Sequence, residues 1–405
     1  MRSWRTPRLP EPPGNLPPLR LFDSASGRLQ ECGTGRHASM YVCGITPYDA
    51  THLGHAATYV TFDLIHRYWL ASGRIVDYVQ NLTDIDDPLL ERAFSSGEDW
   101  RELAERETEL FRSDMQALRI LPPRWYVGAV ESIPAITETI SQLEALGATY
   151  RVGQDIYYDT SCDPGFGQLN RLPASQMLVL DRERGGDPDR PGKRNALDPV
   201  LWRTGTDEPA WDSPLGPGRP GWHIECAAIA TEFLGVPIDV QGGGGDLAFP
   251  HHEMSASLAK VSEAEQRFAR CYVHVGMVGY QGAKMSKSLG NLVLVKDQVS
   301  AGVDPMAVRL ALLGQQYRKT WEWSPRLLAQ AQRRLTRWRQ AFDADAAAPV
   351  SDVISELLDA LSTDLDTPAA LAAVDRWVDA SATGAAVPGA ARRLADSVDL
   401  LLGVK

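Results

Sequence analysis

The sequence predicts an α/β fold in which a doubly wound parallel sheet carries the functional site, followed by a region built of helices. Residues 38–43 alternate and are rich in apolar and β-favouring side chains, Gly44 breaks the run, and a helical apolar pattern begins at Leu53. A second strand-like run follows that helix at residues 75–81. Strand, helix and strand within about 45 residues form the βαβ unit of a parallel sheet, whose ligands lie beyond the carboxyl ends of the strands. Roughly the final quarter of the chain shows only helical patterns.

Composition limits the class of protein. The 405 residues, 44% of them hydrophobic, can bury a large core and are expected to form two or three domains. No apolar run approaches the roughly 18 to 20 residues of a membrane span, and a secretory segment is lacking, so we expect a cytoplasmic protein without a membrane partner. The five cysteines are odd in number and scattered, which argues against a disulfide framework. The formal net charge of −11 disfavours a long nucleic acid as partner, because such binding depends on many Lys and Arg contacts to phosphate.

The first half of the chain divides into an arm, the βαβ unit and an inserted segment. Residues 1–20 are rich in proline, which predicts an extended N-terminal arm. Helical patterns cover residues 99–118 and 131–146, and we place an insertion at about residues 100–195. The loop at residues 183–189 is charged and broken by glycine and proline, and we interpret it as a solvated turn.

A second set of elements completes the predicted sheet domain, which we place at residues 21–303. Residues 200–203 are interpreted as a return strand, residues 222–234 as a helix, and residues 236–241 as a strand. That strand runs into four glycines at 242–245, which would let a ligand approach the backbone closely. The predicted C-terminal region spans 304–405, with helical patterns at 304–315, 325–342, 350–361, 367–380 and 388–402.

His52 and His55 lie where the loop after the first strand meets the helix. The first turn of a helix offers free backbone N–H groups and the positive end of the helix dipole, and two imidazoles add further donors. The stretch therefore suits a phosphate. Two histidines at a helix start can also simply cap and solvate it.

Cys43, Cys226 and His251 are candidates for a metal site, although their spacing alone does not propose one. The sequence has no CxxC pair and no HExxH motif, and each of the three fits a buried thiol or a hydrogen-bonded histidine when taken singly. In a doubly wound fold, however, all three fall next to strand ends or helix starts on one rim of the sheet.

Two short motifs resemble the signatures of the class I aminoacyl-tRNA synthetases. The sequence His52-Leu53-Gly54-His55 after a strand is similar to the HIGH signature of that family, and residues 284–288 match its KMSKS signature letter for letter. Within the class the resemblance is to cysteinyl-tRNA synthetase and covers nearly the whole chain. Its further landmarks lie at residues 40–44, 78–81, 83–87, 221–226, 249–253, 284–291 and 366–368.

Departures from the synthetase pattern resemble a related family. The synthetase has asparagine where this chain has His55, and a different order of residues at 44–49. These variants, the loop at 183–188 and the short C-terminal region are similar to the actinobacterial cysteine ligases of mycothiol biosynthesis. Those ligases resemble the synthetase but join cysteine to the amine of glucosaminyl inositol. The resemblance implies a Rossmann-like catalytic domain of the HUP type with an insertion, and a helical C-terminal domain.

The resemblance also implies a metal site that selects the substrate. Cys43, Cys226 and His251 would bind one Zn²⁺, and Ser255 stands where the synthetase has a fourth ligand, a glutamate. The site would then keep a position for the sulfur of the substrate. A hydrophobic pocket separates serine from cysteine by only roughly 1 to 3 kcal/mol, whereas Zn²⁺ binds a thiolate far better than a hydroxyl.

ATP with Mg²⁺ is the implied co-substrate. His52, His55, Lys284 and Lys287 would align and neutralise its phosphates, and Asp246 would accept hydrogen bonds from the ribose. The residues implied to line the pocket for ATP and the cysteinyl adenylate are Cys43, Gly44, Ile45, Thr46, Thr58, Asn81, Leu82, Thr83, Trp222, Gly244, Gly245, Asp246, Val278, Lys284 and Lys287. Helix capping, solvated loop charges and a core aromatic are the alternative interpretations of Asp246, the two lysines and Trp222.

The implied reaction has two steps. The carboxylate of L-cysteine attacks the α-phosphate of ATP, and the amine of glucosaminyl inositol then takes the cysteinyl group, with Asp246 or His55 as the base. The sequence does not choose between these two bases. We expect neither tRNA nor a second copy of the chain as partner, and therefore a monomer. An authentic cysteinyl-tRNA synthetase and a catalytically silent binding module are the alternatives.

Overall fold

The computed structural model describes residues 1–48, 50–207, 209–285, 289–382 and 386–405. Its strands are β1 (Arg20–Asp23), β2 (Arg28–Glu31), β3 (His37–Val42), β4 (Ile75–Leu82), β5 (Trp125–Gly128), β6 (Thr149–Val152), β7 (Asp155–Tyr158), β8 (Val200–Thr204), β9 (Gly218–Pro220), β10 (Ile238–Gly244), β11 (Ala269–Val275), β12 (Val278–Tyr280), β13 (Ala283–Lys284), β14 (Trp321–Glu322), β15 (Ala346–Ala347) and β16 (Val387–Pro388).

The helices alternate with the strands in the first three quarters of the chain and dominate the last. They are α1 (Leu53–Ala71), α2 (Asp87–Ser96), α3 (Trp100–Ala117), α4 (Ile133–Ala145), α5 (Ala174–Glu183), α6 (Trp222–Leu234), α7 (Glu253–Ser262), α8 (Val295–Ser300), α9 (Pro305–Leu313), α10 (Pro325–Phe342), α11 (Ser351–Ser362), α12 (Thr367–Ser381) and α13 (Ala390–Leu402). Within the described ranges, none of the helices is both long and apolar enough to cross a lipid bilayer.

The central sheet has the strand order β11-β10-β3-β4-β5, and every neighbouring pair in it is parallel. The chain builds β3, β4 and β5 in one direction across the sheet and then returns to the other side of β3 for β10 and β11. This is the doubly wound order, in which ligands bind where the direction reverses, here between β3 and β10. The predicted fold class is confirmed.

Helix α1 starts directly at this reversal point. His52 caps it, because its Nδ1 accepts a hydrogen bond from the backbone N–H of Gly54 at 3.0 Å. Ser72 and Gly73 end the helix, and the φ angle of 77° at Gly73 is the left-handed conformation that glycine adopts without strain. Most of the helix is buried, since the central sheet covers one side of it and α9 and α13 cover another.

The predicted insertion at about 100–195 was wrong on its N-terminal side. Strand β5 is the edge strand of the central sheet, parallel to β4, so α3 belongs to the crossover that leads to it. A separate antiparallel sheet in the order β6-β7-β8-β9 lies between β5 and β10 in the chain, and the predicted return strand at 200–203 is its β8. A strand of four residues such as β5 is too short to show a periodic pattern.

The N-terminal arm adopts no helix or strand before Arg20, and most of its residues are exposed, but Trp4 and Leu19 are buried. Trp4 is 6% exposed, and its indole N–H donates to the carbonyl oxygen of Ile120 at 2.8 Å. Its ring meets the edges of Phe111 and Tyr126. The arm therefore forms part of the outer wall of the sheet domain.

The C-terminal region is helical from α9 to α13 with two small departures from the all-α prediction. The two-residue strand β14 pairs with β12, next to the KMSKS motif, and β15 pairs with β16. The hydrophobic core runs without a break from α1 into these helices. The predicted boundary at residue 303 is therefore not marked by a gap in the core.

A buried ionic cluster ties α1 to the C-terminal helices. Asp63 contacts Arg67 at 2.7 Å and also contacts Arg309 of α9, and all three side chains are fully buried. Arg67 Nη1 donates to the carbonyl oxygen of Asp399, and Arg309 Nε to that of Leu402, at 2.9 and 2.7 Å. Burial alone would raise the pKa of Asp63, but the two guanidinium groups outweigh it and hold that pKa below its ordinary value. Loss of any partner would leave a buried charge unpaired.

Candidate active site

A cavity of about 360 Å³ opens beyond the carboxyl ends of β3 and β10, beside the start of α1. Among the residues predicted for the site, those that line it are Cys43, Gly44, Ile45, Thr46, His52, His55, Thr58, Asn81, Thr83, Trp222, Cys226, Gly244, Asp246, His251, Val278 and Lys284. Other residues that line it are Tyr48, Gly54, Tyr59, Arg184, Leu247, Val275, Gly276, Met277, Met285 and Leu292.

Of the residues predicted for the site that the structure describes, Leu82 and Gly245 do not line the cavity. Leu82 is fully buried in the hydrophobic core, because alternate side chains of β4 point to opposite faces and Asn81 takes the face of the cavity. Gly245 packs against the carbonyl oxygen of Val275, where an added Cβ would come within 3.0 Å. Lys287 lies outside the described residues.

Cys43, Cys226 and His251 converge at the wall of the cavity, and we call these residues the Cys-Cys-His group. The two Sγ atoms are 3.9 Å apart, and Nε2 of His251 lies 3.0 Å from Sγ of Cys226. All three ligand atoms lie within 4.8 Å of one another, and all three residues are buried. Three such donors could hold a metal ion.

Topology produces this convergence from distant positions in the chain. Cys43 directly follows β3, Cys226 lies in the second turn of α6, and His251 lies in the π-helical turn Ala248–His252 that follows β10. The adjacent strands β3 and β10 bring two of these segments to the same rim. Helix α6, which packs on α7, supplies the third.

Aromatic and polar neighbours hold the ring of His251 in place. Trp222, which lines the cavity, stacks on the ring with a centroid distance of 4.2 Å, and Nδ1 of His223 lies 3.0 Å from Nδ1 of His251. The hydroxyl of Ser255 donates to the carbonyl oxygen of His251 at 2.6 Å, so it serves the backbone of the turn. Burial raises the pKa of Cys43, so a bound cation would have to displace its proton.

His52 and His55 form a stacked pair at the N-terminus of α1, with ring centroids 3.8 Å apart. Since Nδ1 of His52 accepts the N–H of Gly54, the proton of its neutral ring is on Nε2. Burial lowers the pKa of His55 to about 4, although the nearby Asp246 opposes this shift. His55 is therefore neutral at pH 7, and it offers a hydrogen bond but no positive charge.

Asp246, Lys284 and Arg184 form a second cluster in the cavity, which we call the charged group. Oδ2 of Asp246 lies 3.1 Å from Nζ of Lys284 and 3.4 Å from Nη1 of Arg184. Burial alone would raise the pKa of Asp246, but the two cations outweigh it and lower that pKa below its ordinary value. In this arrangement Asp246 is an ionised carboxylate and a weak base.

The interpretation of residues 183–189 as a solvated turn was wrong for Arg184, which lines the cavity. Ion pairs anchor the loop: Lys193 contacts Asp187 at 2.9 Å and Arg190 contacts Asp155 at 2.7 Å. The sequence does not indicate the second of these contacts, because Asp155 belongs to β7 of the separate antiparallel sheet.

Two of the four glycines leave room for neighbouring side chains to pack against the strand. A Cβ at Gly242 would lie 2.0 Å from the ring of Phe62 in α1, and one at Gly243 would lie 2.9 Å from the ring of His252. Gly244 alone of the four lines the described cavity. The close approach predicted for a ligand is therefore limited to one glycine, while the first two allow α1 and His252 to approach the strand.

Comparison with known proteins agrees with this architecture. Residues 30–333 match the family described as the tRNA synthetases class I (C) catalytic domain. The L-cysteine:1D-myo-inositol 2-amino-2-deoxy-alpha-D-glucopyranoside ligase of Thermomonospora curvata is 56% identical over 412 residues, and the match covers all of both chains. The ligase of the same name from Cellulomonas flavigena is 54% identical over 415 residues, again with full coverage of both. The chain belongs to the family that these ligases form.

Solved structures show the same fold for this ligase-family chain at low sequence identity. The LeuRS of Agrobacterium radiobacter, in a ternary complex, has a TM-score of 0.69 at 13% identity, covering 92% of this chain and 85% of that one. The methionyl-tRNA synthetase of Mycobacterium tuberculosis, in complex with methionyl-adenylate, has a TM-score of 0.62 at 17% identity, covering 84% and 81%. This chain thus shares the class I synthetase fold, but similarity at this level of identity does not identify the amino acid or the acceptor that it uses.

Proposed function

We propose that this protein is an ATP-dependent ligase that activates L-cysteine as its adenylate. It then transfers the cysteinyl group to the amine of 1D-myo-inositol 2-amino-2-deoxy-alpha-D-glucopyranoside, releasing AMP. The observation that carries the proposal is one cavity that contains both a Cys-Cys-His group and the N-terminus of a helix capped by histidine. The first suits a thiol-selecting metal, and the second suits the phosphates of ATP.

Zn²⁺ is the metal that the Cys-Cys-His group fits best. In a tetrahedral zinc site two sulfurs at about 2.3 Å from the ion are about 3.8 Å apart, and the two Sγ atoms here are 3.9 Å apart. Two thiolates and one imidazole leave a fourth position of a tetrahedral ion for the thiolate of the substrate. When bound, the ion would supply selectivity, because it stabilises the thiolate of cysteine and binds the hydroxyl of serine poorly.

In the first step the carboxylate oxygen of cysteine attacks the α-phosphorus of ATP, and the bond to the departing diphosphate breaks. The backbone N–H groups at the start of α1 and the imidazoles of His52 and His55 provide hydrogen bonds to the phosphates. Lys284 and Mg²⁺ neutralise the negative charge of the phosphates. The resemblance assigns the same role to Lys287. Such a displacement depends on alignment and charge stabilisation more than on a nucleophilic side chain.

In the second step the amine of the sugar attacks the activated carbonyl carbon, an amide bond forms, and the bond to AMP breaks. The attacking nitrogen must lose a proton, and Asp246 is the base we favour. In the described arrangement Lys284 and Arg184 weaken it as a base. Once Lys284 turns toward the phosphates, Asp246 loses one of these cations and its pKa rises. Burial is the main reason why the pKa of His55 is about 4, and that burial remains when Lys284 moves away.

A small acceptor fits the charge of the chain better than tRNA. The formal net charge is −11. Three of the five arginines of helix α10 are engaged with acidic residues: Arg334 contacts Asp375 at 2.9 Å, Arg337 contacts Asp379, and Arg339 contacts Asp304. Arginines paired in this way contribute little to binding the phosphates of a nucleic acid.

One incubation tests the proposal. The protein is mixed with ATP, Mg²⁺ and labelled cysteine, and glucosaminyl inositol and tRNA are offered together. We expect the label in an amide of the amino sugar, with one AMP formed per amide. Label on tRNA would instead identify a cysteinyl-tRNA synthetase, and absence of cysteine-dependent ATP–diphosphate exchange would remove the enzymatic proposal altogether.

A further inference from the structure

A chain of hydrogen bonds connects the Cys-Cys-His group with the N-terminal β-hairpin. Nε2 of His252 lies 3.2 Å from Sγ of Cys43, and Nδ1 of His252 lies 2.8 Å from Nε2 of His274 in β11. Nδ1 of His274 lies 2.8 Å from the hydroxyl oxygen of Ser24, in the turn between β1 and β2. His252 is 1% exposed, while Ser24 lies at the edge of the solvent.

The turn that carries Ser24 is itself fixed to β11. The backbone N–H of Ser24 donates to the carbonyl oxygen of Tyr272 at 2.9 Å, and the N–H of Tyr272 donates to Oδ1 of Asp23 at 2.9 Å. The other oxygen of Asp23 accepts the N–H of Ser26 at 2.8 Å. Ser24 is therefore held opposite His274 by backbone contacts that do not depend on its own hydroxyl.

The donors and acceptors available in this series of hydrogen bonds allow only two arrangements, in which all the bonds point the same way. A neutral imidazole has one N–H donor and one nitrogen acceptor, so each ring passes the direction of the hydrogen bond on to the next. A metal-bound cysteine is a thiolate, which only accepts. With a metal present, His252 must therefore donate from Nε2 to Cys43, His274 must donate from Nε2 to His252, and the hydroxyl of Ser24 must donate to Nδ1 of His274.

We propose that Ser24, acting through His274 and His252, is a positioning residue that holds an N–H donor on the sulfur of Cys43 and thereby sets the metal affinity of the Cys-Cys-His group. This inference rests on the metal site of the proposed function. It adds that the β1–β2 hairpin, which lies outside the doubly wound sheet, takes part in that site. The donor offsets part of the negative charge that builds up when a substrate thiolate joins the two protein thiolates on one ion.

The test uses two variants of the same shape. Ser24→Thr keeps the hydroxyl, and Ser24→Val replaces it with a methyl group. In the purified full-length chain loaded with Co²⁺, we expect the thiolate-to-cobalt charge-transfer band of Ser24→Val to move to longer wavelength, while that of Ser24→Thr matches the unaltered protein. Competition with a chromophoric chelator should show Zn²⁺ bound up to about tenfold more weakly by Ser24→Val, since partners of this kind are worth about 10 to 100-fold in metal affinity.

A second pair of variants, at His252, distinguishes loss of the hydrogen bond from a folding defect. His252→Gln can still donate an amide N–H toward Cys43, and His252→Leu cannot, so the cobalt band should return toward its original position in His252→Gln only. Identical cobalt spectra and zinc affinities for Ser24→Val and Ser24→Thr would overturn the inference and leave the proposed function intact. Failure of the unaltered protein to bind Zn²⁺ or Co²⁺ through its cysteines would remove both.

Discussion

The Cys-Cys-His group and the charged group line the same cavity but are built in opposite ways. Cys43, Cys226 and His251 are 3%, 1% and 1% exposed, and their side chains contact one another and buried neighbours. The side chains of the charged group are 52% exposed at Lys284 and 27% at Asp246, and their contacts are with one another. Under the proposed function, this difference would place recognition of the thiol on a buried frame and handling of the phosphates on exposed cations that can leave one anion for another.

The largest effect is expected when one proposed metal ligand is removed from the Cys-Cys-His group. Cys226→Ser should abolish both zinc retention and cysteine-dependent ATP–diphosphate exchange, a loss of more than about 100-fold, since even outer partners of a metal ligand are worth 10 to 100-fold. Metal content and exchange rate are the measurements. The exposed Cys162 provides the control, because Cys162→Ser should alter neither. A zinc-free Cys226→Ser protein with full exchange activity would refute the metal role.

Removal of the exposed cation Lys284 should affect one group and leave the other unchanged. Lys284→Met should slow adenylation by about 100-fold, the usual effect of losing one preorganised donor to a developing charge. Zinc content and the KM for cysteine should stay unchanged, because Lys284 does not contact the Cys-Cys-His group. Lys296→Met, on the neighbouring helix α8, is the matched control. A drop in zinc content in Lys284→Met would contradict the separation.

The pH dependence of stability should reveal the neutral histidine. The pKa of His55 is about 4 in the folded protein, against 6.5 ordinarily. Between these values the unfolded chain binds the extra proton, so this residue makes the protein less stable as the pH falls from 6.5 toward 4. At about 1.4 kcal/mol per pKa unit, the free energy of unfolding should decrease by up to about 3 kcal/mol.

Denaturant titrations of the unaltered protein and of His55→Asn at several pH values would measure this difference. The variant lacks the titrating ring, so its stability should fall less over the same window. Parallel pH curves for the two proteins would show that the His55 ring is not kept neutral by burial.

The smallest effect is expected for the second cation. Arg184→Gln removes one of the two charges that lower the pKa of Asp246, so that pKa should rise, and the acid side of the pH–rate profile should shift to higher pH by less than about one unit. Arg182→Gln, two residues earlier and paired with Asp189, should leave the profile unchanged. Equal profiles for all three proteins would place Arg184 outside the control of Asp246.

The sequence predicts the catalytic frame well because regular elements follow from local patterns. The strand before Cys43, helix α1 and strand β4 all come from apolar periodicity and a breaking glycine, and the long helices α3 and α10 lie where their patterns indicate. Strand β5 escaped detection because four residues carry too little pattern. The three proposed metal ligands came from a family resemblance together with their predicted place on one rim.

Contacts between side chains from distant segments could not be predicted in the same way. The chain from Cys43 to Ser24 joins four segments, and nothing in the spacing of His252 and His274 indicates that their rings meet. Arg184 is similar, since the segment that follows it is anchored to another sheet by the ion pair between Arg190 and Asp155. Sequence patterns predict individual helices and strands, whereas a functional site depends on which ends of those helices and strands come together in the fold.

The ionic cluster beneath α1 has a consequence for the order in which the site can be completed during synthesis. The carbonyl oxygen that receives Arg67 belongs to a residue 332 positions further along the chain. The histidines at the start of α1 leave the ribosome early, but the helix that presents them cannot be locked until α13 has emerged. In a growing chain, the buried guanidinium groups of Arg67 and Arg309 therefore lack these carbonyl partners until translation has passed the last helix.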